Sequence, residues 1–214
     1  MENIKAIVFD MDGVILDTET ICDKTWLIAA HEFNLPDIEK AMIECLGTNK
    51  NDTLEILNKR YGRICNPNEF LARTSVLFHK IEDEEGIQLM PFAMECLKYL
   101  KTKYRIALAS STRKEIVLKQ LKNASVLDYF EVIVTGDMVS HSKPNPEIYI
   151  KACEELNILP QNCIAIEDSP NGLKSAFNAG LKTIMVPDKI QPNDTIEPFI
   201  WKKCDSLKNV MEML

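Results

Sequence analysis

Two carboxylates one residue apart, Asp10 and Asp12, stand in the stretch FDMDGVILDTE at residues 9–19, directly after the apolar run IKAIVF at 4–9. Like charges repel and are costly to bury, so a pair placed where a core strand ends calls for a compensating charge. Further along the chain, other chemistry-bearing residues follow other apolar runs. Ser110 and Ser111 close ALASS, Lys143 lies in HSKPNPEIY, and Glu167 and Asp168 open EDSPNG. Four carboxylates, hydroxyls and an ammonium form a coherent set. A hard divalent cation balances clustered carboxylates, and an oxygen-only donor set without His or Cys points to Mg2+. Mg2+ commonly joins carboxylates to a phosphate, and Lys143 adds a point positive charge for the phosphoryl oxygens. With the phosphate held, Asp10 can act as nucleophile and Asp12 as general acid and base.

Each of these residues has a plainer reading when taken alone. A D-x-D-G sequence can simply terminate a strand, SKPNP can be a Pro-rich loop, and Ser169 with Pro170 can open a helix as N-cap and N1. Thr112-Arg113-Lys114-Glu115 fits a capping box, which would turn a helix N-terminus toward the same anion. The four elements gain meaning because they occur in order, each after a separate predicted strand.

The elements that must position them are short, continuously apolar runs: 4–9, RIALA (105–109), EVIVT (131–135), CIAIE (163–167) and KTIMVP (182–187). Such runs suit strands covered on both faces of a parallel sheet. Helical spacing lies between them. Ala93, Leu97, Leu100 and Tyr104 form one face, Ile148, Ala152 and Leu156 another, and Leu173, Ala176 and Phe177 a third before Gly180 as C′ residue. An α/β domain follows, with a Rossmann-like parallel sheet whose ligand crevice lies beyond the carboxyl ends of the strands. The long gap after the first strand reads as helices: Trp26, Ala29, Ala30 and Phe33; Leu54, Leu57 and Tyr61; Phe70, Thr74 and Leu77. The expected organisation is an α/β core at 1–15 and 91–214 with an all-helical insertion at 16–90.

Bulk properties narrow the function classes. The chain has 214 residues, is 46% hydrophobic and carries a net charge of −7. That balance argues against nucleic acid or an anionic membrane surface as partner. Seven cysteines in odd number without a C-x-x-C suggest neither a disulfide framework nor a zinc site. With no signal-peptide pattern and no run of membrane-spanning length, the expectation is a reduced, cytoplasmic, monomeric protein acting on a small phosphorylated metabolite.

DMDGVILDTE, ALASS, SKPNPEIY and IEDSPNGLKSAFNAG, in that order, resemble the haloacid dehalogenase superfamily, in particular its phosphatase and β-phosphoglucomutase-like branch with a helical cap. The resemblance implies that Asp10 forms an aspartyl phosphate, that Asp12 is the general acid/base, and that Ser110, with Ser111 beside it, and Lys143 bind the phosphoryl group. It implies Mg2+ held by Asp10, Asp168 and the backbone carbonyl of Asp12, with Glu167 alongside. It also implies that the helical insertion is a cap closing over the site. Dehalogenases lack an Asp at the position of Asp12, because a halide leaving group needs no proton, so Asp12 favours phosphoryl chemistry. In the cap, GTNKNDTLEIL (47–57) resembles the substrate-specificity loop, with Lys50 where β-phosphoglucomutases carry a basic residue. Cys22 stands where those mutases place a His, and Glu19 completes the DTE more common in phosphatases. Transfer to water is therefore expected over a hexose-phosphate mutase.

Overall fold

The computed structural model describes residues 3–46, 48 and 50–214. Its strands are β1 (Ala6–Phe9), β2 (Arg105–Ser110), β3 (Val132–Thr135), β4 (Cys163–Glu167), β5 (Lys182–Met185) and β6 (Lys202–Lys203). They form one sheet in the order β3-β2-β1-β4-β5-β6, parallel throughout. β1 is central and pairs with both β2 and β4, so the chain winds one way to β3 and the other way to β6. The reversal of order at β1 makes its carboxyl end the switch point where such sheets bind ligands.

β1 is buried at every residue, as its unbroken apolar run requires. The sheet's two faces differ. Ala6, Val8, Ala107, Ala109, Val134 and Ala165 turn small side chains toward α7 (Glu147–Leu156) and α8 (Pro170–Asn178), which fill that face with Ile148, Tyr149, Ala152, Leu156 and Ala176. The alternate residues Ile7, Phe9, Ile106, Leu108, Ile164 and Ile166 are equally buried on the opposite face. α8 opens on Ser169 as N-cap, its side chain accepting the Gly172 N–H, with Pro170 at N1. It ends in a Schellman turn, in which Gly180 N–H reaches Phe177 O and Leu181 N–H reaches Ala176 O.

Three details differ from the sequence reading. α5 runs from Ala93 to Lys101 and stops before Tyr104, which the apolar spacing had included. Phe177 is half exposed although its spacing suggests core. The short edge strand β6, two lysines, carries no apolar signal at all. A further difference concerns α6 (Lys114–Asn123): Thr112 is not its cap. The helix begins after Arg113, and Asp137 from the turn beyond β3 accepts the Lys114 N–H at 3.0 Å.

The chain divides into two compact units, one of Met1–Asp17 with Gln88–Leu214 and one of Thr18–Ile87. At the margin of the first unit the two connecting segments run side by side: Asp17 N–H donates to Gln88 O and Met90 N–H to Ile15 O, each at 2.9 Å. The second unit consists of α1 (Thr18–Glu32), α2 (Ile38–Cys45), α3 (Lys50–Tyr61) and α4 (Pro67–Glu85). Its core gathers Ala29, Ala30, Leu57, Tyr61, Phe70 and Leu77. Phe70 is its centre, meeting Trp26 and Phe33 edge to face at centroid distances of 5.2 and 5.9 Å. All seven cysteines are free thiols. No helix among the described residues is long and apolar enough to cross a membrane.

Phe70→Ala removes the ring on which α1 and α4 converge and leaves a cavity. It is expected to destabilise the helical unit by about 3–5 kcal/mol. The measurement is native-state amide exchange in α1 and α4; unchanged protection there would contradict the assignment of Phe70 as the packing centre.

Candidate active site

The site is built from the loops that follow β1, β2 and β4 and the segment before α7. β1 delivers Asp10, whose own N–H donates to Ile166 O of β4 at 3.0 Å, so the residue is fixed as an extension of the sheet. The chain then turns back tightly: Ile15 and Leu16 N–H both reach Met11 O, and Gly13 N–H reaches Leu16 O. Gly13 has φ +74, and a Cβ there would lie 2.5 Å from Asp168 Oδ2 and 3.5 Å from Asp188 Oδ2. The absent side chain leaves room for two carboxylates.

Lys143 is the hub. Its ammonium is 2.5 Å from Asp10 Oδ1, 2.7 Å from Glu167 Oε1 and 2.9 Å from Ala109 O, so each of its three N–H groups has an acceptor. Burial alone would push this amine's pKa down, but Asp10 and Glu167 outweigh it and hold the amine well above its ordinary range. Lys143 is therefore a permanent cation here.

Glu167 has no exposed surface and every oxygen is spoken for. Oε1 accepts from Lys143 and from the Tyr149 hydroxyl at 2.8 Å, and Oε2 from Ser169 Oγ at 3.0 Å and the Asp168 and Ser169 N–H groups at 3.2 Å. Its carboxylate lies against the first turn of α8 so closely that a Cβ on Gly172 would fall 1.8 Å from Oε1. Only glycine leaves that space.

Asp10 has one partner by comparison. Burial pushes its carboxyl up to about 8; Lys143 opposes that, and the charges of Glu167 and Asp12 reinforce it. One carboxylate oxygen from each of Asp10, Glu167 and Asp168 can be chosen so that all lie within 4.8 Å of one another. This oxygen-only donor set, with a buried carboxyl whose anion lacks full compensation, fits a hard divalent cation. Because Glu167 is already saturated by protein donors, Asp10 and Asp168 are the better direct ligands.

The expected residues divide into three groups. Asp10, Lys143, Glu167 and Asp168 come together. Beside them, Ser110 is fully buried, with Oγ accepting the Thr112 N–H at 3.1 Å, and the Thr112 hydroxyl faces Asp12 Oδ2 at 3.4 Å. Ser111 is exposed. Lys50, exposed at the start of α3, and Glu19, in the first turn of α1, belong to the helical unit. Of the segment 47–57, Gly47 and Asn49 lie outside the described residues.

Sequence reasoning missed Tyr149, Asp188 and the partnership of Thr112 with Asp12. Asp188 follows β5 and was open to the same strand-end rule that found the others. Tyr149 sits six residues after Lys143 inside a motif read only for its lysine.

A family of known proteins matches residues 7–186, described as the haloacid dehalogenase-like hydrolases. The chain belongs to that family. Among haloacid dehalogenase-like relatives, it is 31% identical over 182 residues to the phosphorylated carbohydrates phosphatase of Thermotoga maritima, an alignment covering 85% of this chain and 84% of the relative. It is 30% identical over 195 residues to the β-phosphoglucomutase of Bacillus subtilis, covering 86% and 83%. In three dimensions it superposes on the β-phosphoglucomutase of Clostridium difficile with a TM-score of 0.74 at 25% identity, over 97% of this chain and 93% of that one.

The raised Asp10 pKa makes stability depend on pH. Without a cation the folded state binds a proton at Asp10 up to about pH 8, whereas the unfolded carboxyl releases it near 3.8. Stability supplied by that proton is therefore lost as pH rises toward 8. The carboxyls held low by their partners, Glu131, Asp137 and Glu147, finish titrating below this window. In EDTA the folded state should lose stability on the order of a few kcal/mol between pH 5.5 and 8, read as a falling melting temperature. Mg2+ should flatten the dependence by favouring the ionised carboxylate. A melting temperature that rises with pH in EDTA across this window would refute the assignment.

Proposed function

We propose that this haloacid dehalogenase-like hydrolase is a Mg2+-dependent phosphatase of small phosphomonoesters, sugar phosphates or similar metabolites, working through an aspartyl phosphate on Asp10. The observation that supports this most is the placing of Asp10 at the switch point of the sheet, 2.5 Å from a buried lysine and within an acidic cluster that suits a divalent cation. The 31% identity to a phosphatase of phosphorylated carbohydrates supports the substrate class.

In this reading an oxygen of Asp10 attacks phosphorus in line with the ester bond. The phosphorus–oxygen bond to the substrate breaks, and Asp12 gives its proton to the departing alkoxide, releasing an alcohol. Asp12, now a carboxylate, takes a proton from the water that attacks the phosphoaspartate. Inorganic phosphate leaves, and both carboxyls return to their starting states. Lys143 neutralises Asp10 before attack and the phosphoryl oxygens after it. Ser110 and the neighbouring backbone N–H groups hold the same oxygens. Thr112 orients Asp12. Asp10, Asp168 and the Asp12 carbonyl would hold Mg2+, which would supply the charge balance that lets Asp10 be ionised at neutral pH. Lys50 and Glu19 are assigned to the substrate side of a cap formed by the helical unit, and seven free thiols suit a reducing compartment such as the cytoplasm. We take the active species to be a monomer.

A hexose-phosphate mutase is the second reading, supported by the 30% identity to a β-phosphoglucomutase. The two differ in the acceptor of the phosphoryl group. Cys22 and Glu19 both favour water.

A phosphatase releases inorganic phosphate from an aryl phosphate and from hexose phosphates, with activity abolished by EDTA and restored by Mg2+. Asp10→Asn should reduce turnover by about 1,000-fold or more, whereas undiminished turnover would sink the aspartyl-phosphate reading. Given β-glucose 1-phosphate and a trace of the bisphosphate, glucose 6-phosphate accumulating without free phosphate would instead identify the mutase.

A further inference from the structure

Tyr149 is packed into the centre of the site, and the reaction above does not use it. It projects from α7, is fully buried, and could be phenylalanine if its task were only to fill the face of the sheet. Its hydroxyl donates to Glu167 Oε1 at 2.8 Å, the same oxygen that accepts from Lys143 at 2.7 Å. The hydroxyl oxygen is 3.4 Å from Lys143 Nζ, and the ammonium lies 5.0 Å from the centre of the ring.

Two donors on one oxygen divide its charge. Lys143 is suspended between Asp10 and Glu167, both anions, and must follow the charge at Asp10 when that carboxylate becomes a mixed anhydride with phosphate. The Asp10 oxygen then loses most of its negative charge, while Glu167 keeps all of its own. An unmoderated Glu167 would draw the ammonium away from the transferring group at that moment. A second proton donated to Oε1 weakens this pull. Burial, with the charge of Glu167 next, raises the tyrosine's pKa and keeps its hydroxyl protonated.

We propose that Tyr149 is a positioning residue whose hydroxyl, by sharing Glu167 Oε1 with Lys143, holds the ammonium toward Asp10 and the transferring phosphoryl group. The proposal rests on the phosphoryl-transfer reading above.

The test is Tyr149→Phe, which keeps the ring and removes only the hydroxyl. Its kcat should fall about tenfold, the lower range for losing a hydrogen-bond partner of a site carboxylate, with KM changed less than twofold. The melting temperature should stay close to that of the wild type. Glu167→Gln removes the charge that the hydroxyl moderates, so adding Tyr149→Phe in that background should cost less than twofold. Independence of the two changes, with the full tenfold loss repeated, would overturn the proposal. So would a Tyr149→Phe enzyme with kcat within twofold of wild type, or one whose loss lies wholly in thermal stability. If wild type releases no phosphate from any monoester and Asp10→Asn changes nothing, the phosphatase reading itself has failed, which is a separate result.

Discussion

The site depends on one buried ammonium. Lys143 supplies three hydrogen bonds and a unit positive charge at the point where β1, β2 and β4 end, and its acceptors come from each of those strands: Asp10, Ala109 O and Glu167. Take the ammonium away and two buried carboxylates face each other across adjacent strands with nothing between them. Removing one partner of a buried charged cluster is far more damaging than never having had it, because the remaining charge stays desolvated. The loop 139–146 must therefore deliver Lys143 accurately. Glu147 fastens that loop by accepting the N–H groups of Ser140 and His141 at 2.8 and 3.0 Å.

Much of this was legible in the sequence because its signals are local. The runs at 105–109, 131–135 and 163–167 contain continuous apolar residues that only a doubly covered strand explains, and they become β2, β3 and β4 with ends displaced by at most one residue. Strand ends then located Asp10, Ser110, Glu167 and Asp168 without further information, since a parallel sheet puts all its carboxyl ends on one edge. Lys143 follows no strand directly; the stretch leading on from 131–135 through Gly136 and Asp137 brought it to the same edge.

The rest was hidden because it depends on partners distant in sequence. Thr112 and Glu115 have capping-box spacing, yet the helix starts one residue later and Asp137 supplies the cap from 23 residues away. That frees the Thr112 hydroxyl to face Asp12, 100 residues distant. Tyr149 reads as one more apolar position on α7 and does pack as one. Its hydroxyl gains meaning only once β4 places Glu167 beneath it. Gly172 likewise looks like a weak helix residue, and its necessity lies in the position of Glu167, five residues earlier and across a turn. β6 has no side-chain signal because its edge position asks nothing apolar of Lys202 and Lys203.

Two carboxylates on neighbouring strands, both buried and both bound to the same lysine, have opposite environments, and that difference separates structure from chemistry. Glu167 receives five hydrogen bonds and is shut behind α8, so its charge is fully spent on holding Lys143, Ser169 and the start of the helix. Asp10 receives one side-chain hydrogen bond, from Lys143. A carboxylate that has been desolvated without being satisfied is a better nucleophile and a stronger cation ligand than one wrapped in donors. Glu167 thus fixes the lysine and the start of α8, while Asp10, with fewer donors, is the carboxylate left for the chemistry proposed above.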